Sequence, residues 1–250
     1  MATDADRALI GHLLRRSGFG ASGAEIDAAA AAGYEATLDG LFAPVDDPGA
    51  DATPPPSFTD PASGAGASLS AAQREALNAD RAQQSDDLVA WWLARMTAAA
   101  RPWTEKRTFF WHGHFATSIQ KVNSAALMLA QNQTLRALGG GDFRTLMRTV
   151  FTDPAMMLWL DASGSTAAAP NENLARESME LFTLGVGAFT EQDVRQAALA
   201  LTGWRLNRAS GLATFVPRAH APGPETILGS TAAFDVDSFN TLLTDRKSVV

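Results

Sequence analysis

Apolar residues recur every three to four positions along most of this 250-residue chain, which is the spacing of a buried helix face. In residues 69–100, for example, Leu77, Leu88, Trp92 and Met96 lie near one stripe, and charged residues occupy the other side. The pattern predicts helices over residues 4–16, 22–33, 69–100, 102–118, 124–138, 142–151, 154–160 and 190–202, and within the stretch 171–187 up to its Gly-Val-Gly turn.

Local polar residues mark the starts of two of these helices. Ser22 with Glu25, and as a weaker variant Thr190 with Asp193, match the pattern in which two side chains cap a helix N-terminus reciprocally. Two short runs around residues 207–211 predict a β-hairpin near residues 204–217, the one sheet that the pattern indicates. The predicted fold is therefore mainly α, a multi-helix orthogonal or bundle-like domain with one short hairpin.

Two segments depart from the helical pattern. Residues 43–68 are rich in Pro, Gly, Ala and Ser and predict a flexible insert in a single helical domain over residues 1–244. The final hexapeptide DRKSVV follows a helical segment without a stop signal, and it resembles the translation of a common sequencing adapter. We therefore predict a non-native tail at 245–250, and an N-terminal fragment of a longer domain before it.

Composition narrows the classes of function. Asp plus Glu outnumber Lys plus Arg by 27 to 20, so the formal charge of −7 gives no general basic field for nucleic acid. The absence of cysteine excludes disulfides and thiolate metal sites. The apolar runs fall short of the roughly 20 residues of a membrane span, and the N-terminus lacks a secretory signal. The chain as written predicts a cytoplasmic protein, whereas a start further upstream would allow export.

The stretch NENLARESMELFTLGVG, residues 171–187, concentrates acidic side chains on one helix. In the structural interpretation, Arg176 forms an ion-pair ladder with Glu172 and Glu180, each four residues away. In the functional interpretation, Glu177 and Glu180 face inward as an acid–base pair or as ligands of a cation, and Arg176 keeps one of them ionised. The sequence leaves both interpretations open.

A second candidate site is FWHGHFATS, residues 110–118, with His112 and His114 on either side of Gly113. Residues two apart on a helix point about 200° from one another, so both histidines bind one divalent metal only if Gly113 breaks the helix. Otherwise each imidazole is a hydrogen-bonded structural group. A divalent metal is the one cofactor that these residues indicate.

Several familiar sites are missing from the sequence. It contains no G-x-S-x-G elbow, P-loop, dinucleotide-binding glycine pattern or HExxH helix. Serine hydrolases of the elbow type, kinases and Rossmann enzymes are therefore excluded.

Four stretches together resemble the bacterial domain of unknown function 1800 family: HLLRRSGFGAS, FWHGHFATS, DPAMMLWLD and, most specifically, residues 171–204. The resemblance implies a longer, mainly helical protein, often exported and often encoded beside another exported protein, which becomes a candidate partner. It implies no established activity. Ser178 departs from the family pattern, where a bulkier residue is expected; the matching positions are His112, His114, Asn171, Glu172, Asn173, Arg176, Glu180 and Trp204.

Two functions follow as hypotheses. The first is a metal-dependent or acid–base enzyme, such as a hydrolase, with His112 or His114 acting together with Glu177, Glu180 and Arg176. Under this hypothesis the site is shaped by Asn171, Glu172, Asn173 and Trp204. The alternative is a non-catalytic helical scaffold that binds a partner protein or a polymer and uses its Glu/Arg face for structure. The oligomeric state is not predicted.

Overall fold

A computed structural model describes residues 2–43, 46–59, 69–208 and 210–246. Helices dominate these ranges: α1 (Asp4–Ser17), α2 (Gly23–Ala32), α3 (Tyr34–Phe42), α4 (Pro48–Asp51), α5 (Ala71–Ala98), α6 (Trp103–Phe115), α7 (Ile119–Val122), α8 (Ala125–Leu138), α9 (Phe143–Phe151), α10 (Pro154–Trp159), α11 (Glu172–Glu180), α12 (Glu191–Ala200) and α13 (Val236–Asp245). The mainly α prediction is confirmed. None of the helices within these ranges is long and apolar enough to cross a membrane.

The chain divides into two compact units. Unit 1 comprises residues 1–56 and 86–110, and unit 2 comprises residues 57–85 and 111–250. Helices α5 and α6 each supply one part of their length to unit 1 and the other part to unit 2.

Unit 1 packs α1, α2 and α3 against one another. Both α1 and α2 begin with the reciprocal cap in which a Thr or Ser hydroxyl and an acidic side chain satisfy backbone N–H groups at the helix start. The buried side chains include Ile10, Ala30, Ala50 and the carboxylate-bearing Glu105, which is only 1% exposed. A charged group therefore belongs to the interior of this unit.

Part of the predicted insert at residues 43–68 is anchored within unit 1. Asp47 caps α4, and its carboxylate also accepts hydrogen bonds from the backbone N–H groups of Ala100 (3.0 Å) and Arg101 (2.8 Å). Burial raises the pKa of Asp47, but the backbone N–H donors outweigh it and leave this pKa below its ordinary value. Residues 44, 45 and 60–68 of the insert lie outside the described residues.

Unit 2 contains one large apolar core formed mainly by α8 to α13. Buried methionines and aromatic rings supply much of its volume, and unbranched Met side chains fill irregular spaces well. The largest fully buried members are Phe115, Leu135, Leu146, Met147, Phe151, Met156, Met157, Met179, Ile227, Phe239 and Leu243. This core fixes α11 and α12 beside each other, which positions the acidic stretch of the sequence.

Two antiparallel hairpins interrupt the helices of unit 2. Strands β1 (Trp204–Asn207) and β2 (Leu212–Phe215) pair at the predicted hairpin. A second hairpin, β3 (Glu225–Ile227) with β4 (Ser230–Ala232), was not predicted. Its strands have three residues each, and side chains of α12 hold it: Gln196 accepts from Thr226 N–H, and Asp193 accepts from Leu228 N–H.

The described chain ends just after α13. Asp245 closes this helix and pairs with Arg144 of α9, and Arg246 donates to the carbonyl of Leu228. Residues 247–250 lie outside the described residues. The single domain over residues 1–244, its continuation and the non-native tail stay predictions.

Replacing Gly203 with alanine should destabilise unit 2 by about 2 kcal/mol, because the site offers neither the space nor the backbone geometry for a Cβ atom. Gly203 has a φ of +94°, and an added Cβ would lie 2.8 Å from Cε2 of Phe215 and 3.0 Å from Cβ of His220. Thermal unfolding followed by circular dichroism measures the effect.

The matched control is Gly113→Ala on α6, where an added Cβ would meet nothing within 4 Å. Alanine is also a better helix former than glycine by up to about 1 kcal/mol. Equal melting temperatures for the Gly203→Ala variant and the parent would contradict the steric argument.

Candidate functional site

Helix α11 carries the acidic stretch and is fixed at its start by Asn171. The Asn171 side-chain oxygen accepts from Asn173 N–H at 2.8 Å, and its amide nitrogen donates to the carbonyl of Asp161 at 2.9 Å. Leu174, Ala175, Ser178 and Met179 of the helix are buried in the core. Asn171 thus ties the beginning of α11 to the loop after α10.

Arg176 joins α11 to α12. Its guanidinium makes two hydrogen bonds to the carboxylate of Glu191, at 2.8 and 2.7 Å, and lies 3.6 Å from the Glu172 carboxylate. The hydrogen bonds to Glu191 raise the pKa of Arg176 and lower that of Glu191. Of the two expected pairs, the one with Glu172 is present, whereas Arg176 and Glu180 form no ion pair among the described residues. The shorter contact of Arg176 crosses to the next helix. Arg176 therefore acts mainly as a brace between two helices.

One side of α11 borders a cleft of about 300 Å³ in unit 2, here called the Glu177 cleft. Its floor is apolar and buried, and polar side chains stand at its edge. The lining residues are Phe115, Ala116, Lys121, Trp159, Leu160, Asn173, Glu177, Leu181 and Phe182. The combination of an apolar floor and a few polar groups is typical of small-molecule sites.

Glu177 is the carboxylate that lines this cleft. Burial raises the pKa of Glu177, the negative charge of Glu180 raises it further, and Arg176 opposes both without reversing them. Glu180 is the neighbouring charge but is not among the lining residues. Of the two predicted catalytic carboxylates, only Glu177 is therefore placed to touch a molecule in the cleft.

A lysine and an aromatic ring from other elements line the same cleft as Glu177. Lys121 of α7 forms an ion pair with Asp161 at 2.7 Å, and its ammonium lies 5.7 Å from the centre of the Trp159 ring. Cation–π contact and the carboxylate hold the lysine at the edge of the cleft. The sequence reasoning did not single out Lys121, Trp159 or Asp161 as site residues. The stretch DPAMMLWLD, which contains Trp159 and Asp161, was the sequence feature that could have indicated those two as site residues.

The backbone around the cleft is constrained at two residues that are not glycine. Ala116, which lines the cleft directly after α6, has a φ of +51°, and Asp161 has a φ of +58°. The left-handed region costs an L-residue of this kind about 1–2 kcal/mol, so the surrounding contacts must hold it. Such residues are common at binding sites.

Helix α6 continues through Gly113, so the condition for His112 and His114 to bind one ion together is not met. His114 Nε2 lies 3.2 Å from the carbonyl oxygen of Phe182. Burial lowers the pKa of both histidines, and the Phe182 carbonyl partly offsets this for His114. Neither histidine is among the residues that line the Glu177 cleft.

The described ranges contain no group of three or more His, Asp or Glu side chains that could hold a metal ion. The metal site expected from the two histidines and the acidic stretch is thus not supported by the arrangement of these side chains.

Comparison with known families assigns the chain to a family whose description gives no activity. A family model described as a protein of unknown function (DUF1800) matches residues 12–249. The chain belongs to the DUF1800 family. No curated protein and no solved structure matches it. All residues that line the Glu177 cleft fall inside the DUF1800 match.

The remaining predicted site residues of this DUF1800 chain lie in different surroundings. Asn173 lines the cleft and is exposed. Trp204 begins β1, where its ring packs 5.5 Å from the Phe215 ring and under the guanidinium of Arg148. Glu172 lies in the first turn of α11 beside Arg176. Asn173 is the one of these three that the structure brings together with Glu177.

Proposed function

We propose that the Glu177 cleft is the catalytic site of a hydrolase that acts on a small organic molecule by acid–base chemistry. The observation that supports it is a carboxylate with a raised pKa on the wall of an aromatic-floored cleft. A carboxyl group of this kind is available as an acid when neutral and is a stronger base when ionised.

In the proposed reaction, ionised Glu177 takes a proton from water as the water oxygen bonds to the electrophilic carbon of the substrate. The neutral Glu177 then returns the proton to the leaving group as its bond to that carbon breaks, so the enzyme ends in its starting state. The Lys121 ammonium is placed to stabilise negative charge that develops on a substrate oxygen. Asp161 and the ring of Trp159 position Lys121.

The shape of the cleft limits the substrate. A volume of about 300 Å³ lies at the lower end of ligand pockets, which favours a small molecule or the end of a polymer. Trp159 and Phe182 offer flat apolar surface to a ring or an acyl chain. His114 is a positioning residue in this proposal, because its ring contacts the carbonyl of Phe182.

Glu177→Gln should reduce kcat/KM for hydrolysis by about a hundredfold or more, because the amide neither accepts nor delivers the proton. The purified chain is assayed with panels of chromogenic esters, amides and glycosides, and circular dichroism checks the fold of each variant.

The matched control is Glu180→Gln, which changes the neighbouring carboxylate outside the cleft. It should retain activity, and it should move the acidic limb of the pH profile to lower pH, because the charge of Glu180 raises the pKa of Glu177. Lack of hydrolysis across the panels, or equal losses in the two variants, would reject the acid–base role.

The second candidate is a non-catalytic scaffold for a partner protein or a polymer. It is supported by the bidentate brace from Arg176 to Glu191, and by Leu181 and Val186, which are 57% and 84% exposed. Under this alternative, Glu177→Ala and Glu180→Ala lower the melting temperature, and the unsubstituted chain hydrolyses none of the panel substrates. Unchanged melting temperatures in both variants would count against it.

A further inference from the structure

Unit 1 contains a second cavity, which is basic and aromatic and shares no lining residue with the Glu177 cleft. Its volume is about 350 Å³, and we refer to it as the basic cavity. Its six lining residues, all within the described chain, comprise four cations, two aromatic residues and no carboxylate. They are Arg15, Arg16, Trp103, Lys106, Arg107 and Phe110.

The cavity is built from two helices of unit 1. Trp103, Lys106, Arg107 and Phe110 are spaced i, i+3, i+4 and i+7, so they share one face of α6. The two arginines come from the last turn of α1. The helices approach closely at this point, since a Cβ added to Gly18 would lie only 3.0 Å from Cγ of Pro102.

Only two of these four cations lie where the dipole of their helix favours a positive charge. Arg15 and Arg16 complement the negative end of the α1 dipole. Lys106 and Arg107 lie within the first five residues of α6, where the dipole is positive and cations are unfavourable. The helix dipoles therefore explain only two of the four cations, and together the four side chains favour an anion.

Three of the four cations are not neutralised by an ion pair in the described part of the chain. Among the described residues, Arg15, Arg16 and Lys106 form no ion pair with an acidic side chain. Glu105 adjoins Lys106 in sequence, but its carboxylate is buried and bonded to Arg95. In a chain of net charge −7, a cavity whose charged lining residues are all cations is a local concentration of positive charge.

We propose that the basic cavity binds an organic oxyanion, namely a phosphate or sulfate ester with a ring or short apolar part. The guanidinium and ammonium groups bind the oxyanion, since planar guanidinium groups match the geometry of its oxygens. Trp103 and Phe110 pack against the apolar part. Lys106 is held over the ring of Phe19, with 5.2 Å between its nitrogen and the ring centre, which keeps the ammonium in place.

The test is isothermal titration calorimetry of the full chain with phenyl phosphate, phenyl sulfate and inorganic phosphate at low salt. Phenyl phosphate or phenyl sulfate should bind at least tenfold more tightly than inorganic phosphate, because only the esters contact the aromatic side chains. Arg16→Ala and Lys106→Ala should each weaken ester binding at least fivefold, and binding should also weaken as salt is added. The tighter of the two esters identifies the class of ligand.

Two further variants separate binding in the cavity from general attraction of anions. Phe110→Ala should weaken binding of the phenyl esters and leave that of inorganic phosphate unchanged. Arg195→Ala removes an exposed arginine of α12, and it should bind both esters as the parent does. The proposal is overturned if neither ester binds at millimolar concentration, or if Arg195→Ala weakens binding as much as Arg16→Ala and Lys106→Ala.

Discussion

Replacing Arg95 with methionine should lower the free energy of unfolding of unit 1 by about 3–5 kcal/mol. Arg95 Nε donates to the Glu105 carboxylate at 2.8 Å, and the two side chains are only 15% and 2% exposed. Another nitrogen of the same guanidinium donates to the carbonyl of Ala50 at 2.6 Å. Methionine fills a similar volume, but it leaves a buried carboxylate without this cation and a buried carbonyl without this donor.

Hydrogen exchange measured by mass spectrometry is the suitable readout, because the two compact units need not unfold together. Peptides of unit 1 should exchange faster in Arg95→Met. Arg101→Met, which changes an exposed arginine of the same unit, should have an effect within about 0.5 kcal/mol.

The double variant Arg95→Met/Glu105→Gln tests the electrostatic cause, since it removes both charges. It should recover at least half of the lost stability, because replacing a whole buried pair costs far less than breaking it. A double variant as unstable as Arg95→Met would show that packing, and not the unmatched charge, causes the loss.

As the pH rises from about 4 to about 7, the free energy of unfolding of unit 2 in the Asp153→Asn variant should increase relative to that of the parent. Burial raises the pKa of Asp153 to about 6 from its ordinary value of 3.8. Its Oδ1 accepts from Gln131 at 2.6 Å and from Met156 N–H at 2.8 Å, and an asparagine oxygen can accept both bonds. Asparagine is also a favourable residue at a helix start.

The direction of this pH dependence follows from the pH range in which the folded and the unfolded chain each release the Asp153 proton. Below about pH 4 Asp153 is neutral in both states. Between about pH 4 and 6 the unfolded chain has lost this proton while the folded chain retains it, so rising pH favours unfolding. Above about pH 6 both states are ionised and the loss is complete. A pKa change from 3.8 to about 6 corresponds to a decrease of about 3 kcal/mol in the free energy of unfolding of the parent. Asparagine does not ionise, so the variant does not undergo this decrease.

Urea denaturation of the parent and the Asp153→Asn variant at pH 4 and pH 7 measures this difference. Asp142→Asn is the matched control, because Asp142 caps α9 in the same way but is exposed, and hydrogen bonds from Thr145 lower its pKa. Because the Asp142 pKa lies below its ordinary value of 3.8, the effect of Asp142→Asn on stability should change little between pH 4 and pH 7. A pH-independent difference between Asp153→Asn and the parent would contradict the linkage.

The Asp153 prediction also concerns the candidate site. Gln131 joins Asp153 to the hydroxyl of Thr117, which directly follows Ala116 of the Glu177 cleft. This buried chain of hydrogen bonds connects the start of α10, the middle of α8 and the segment after α6. Asp153 is therefore linked through two hydrogen bonds to the residue that follows Ala116 in the wall of the cleft.

Much of the acidic helix could be predicted from its sequence, but its contacts could not. The i, i+4 rule gave the pair of Arg176 with Glu172, whereas the bidentate pair with Glu191 joins residues on two helices. Similarly, helical spacing made Glu177 and Glu180 neighbours, but only the tertiary structure decided that Glu177 lines a cleft together with residues of α6, α7 and α10. Lys121 carried no local signal of a site, and Trp159 carried only that of the family-like stretch DPAMMLWLD.

The sequence by itself determined most of the helices, because their causes are local: apolar spacing of about 3.6 residues, the reciprocal caps at Ser22 and Thr190, and the breaks at Pro and Gly. Helices α3, α4 and α7 were not predicted. Only the tertiary structure decided the short β3–β4 hairpin, which depends on α12 for its hydrogen bonds. The tertiary structure also decided which charged side chains are buried, which form ion pairs and which line a cavity. Those properties depend on residues far apart in the chain, whose distances no local pattern encodes.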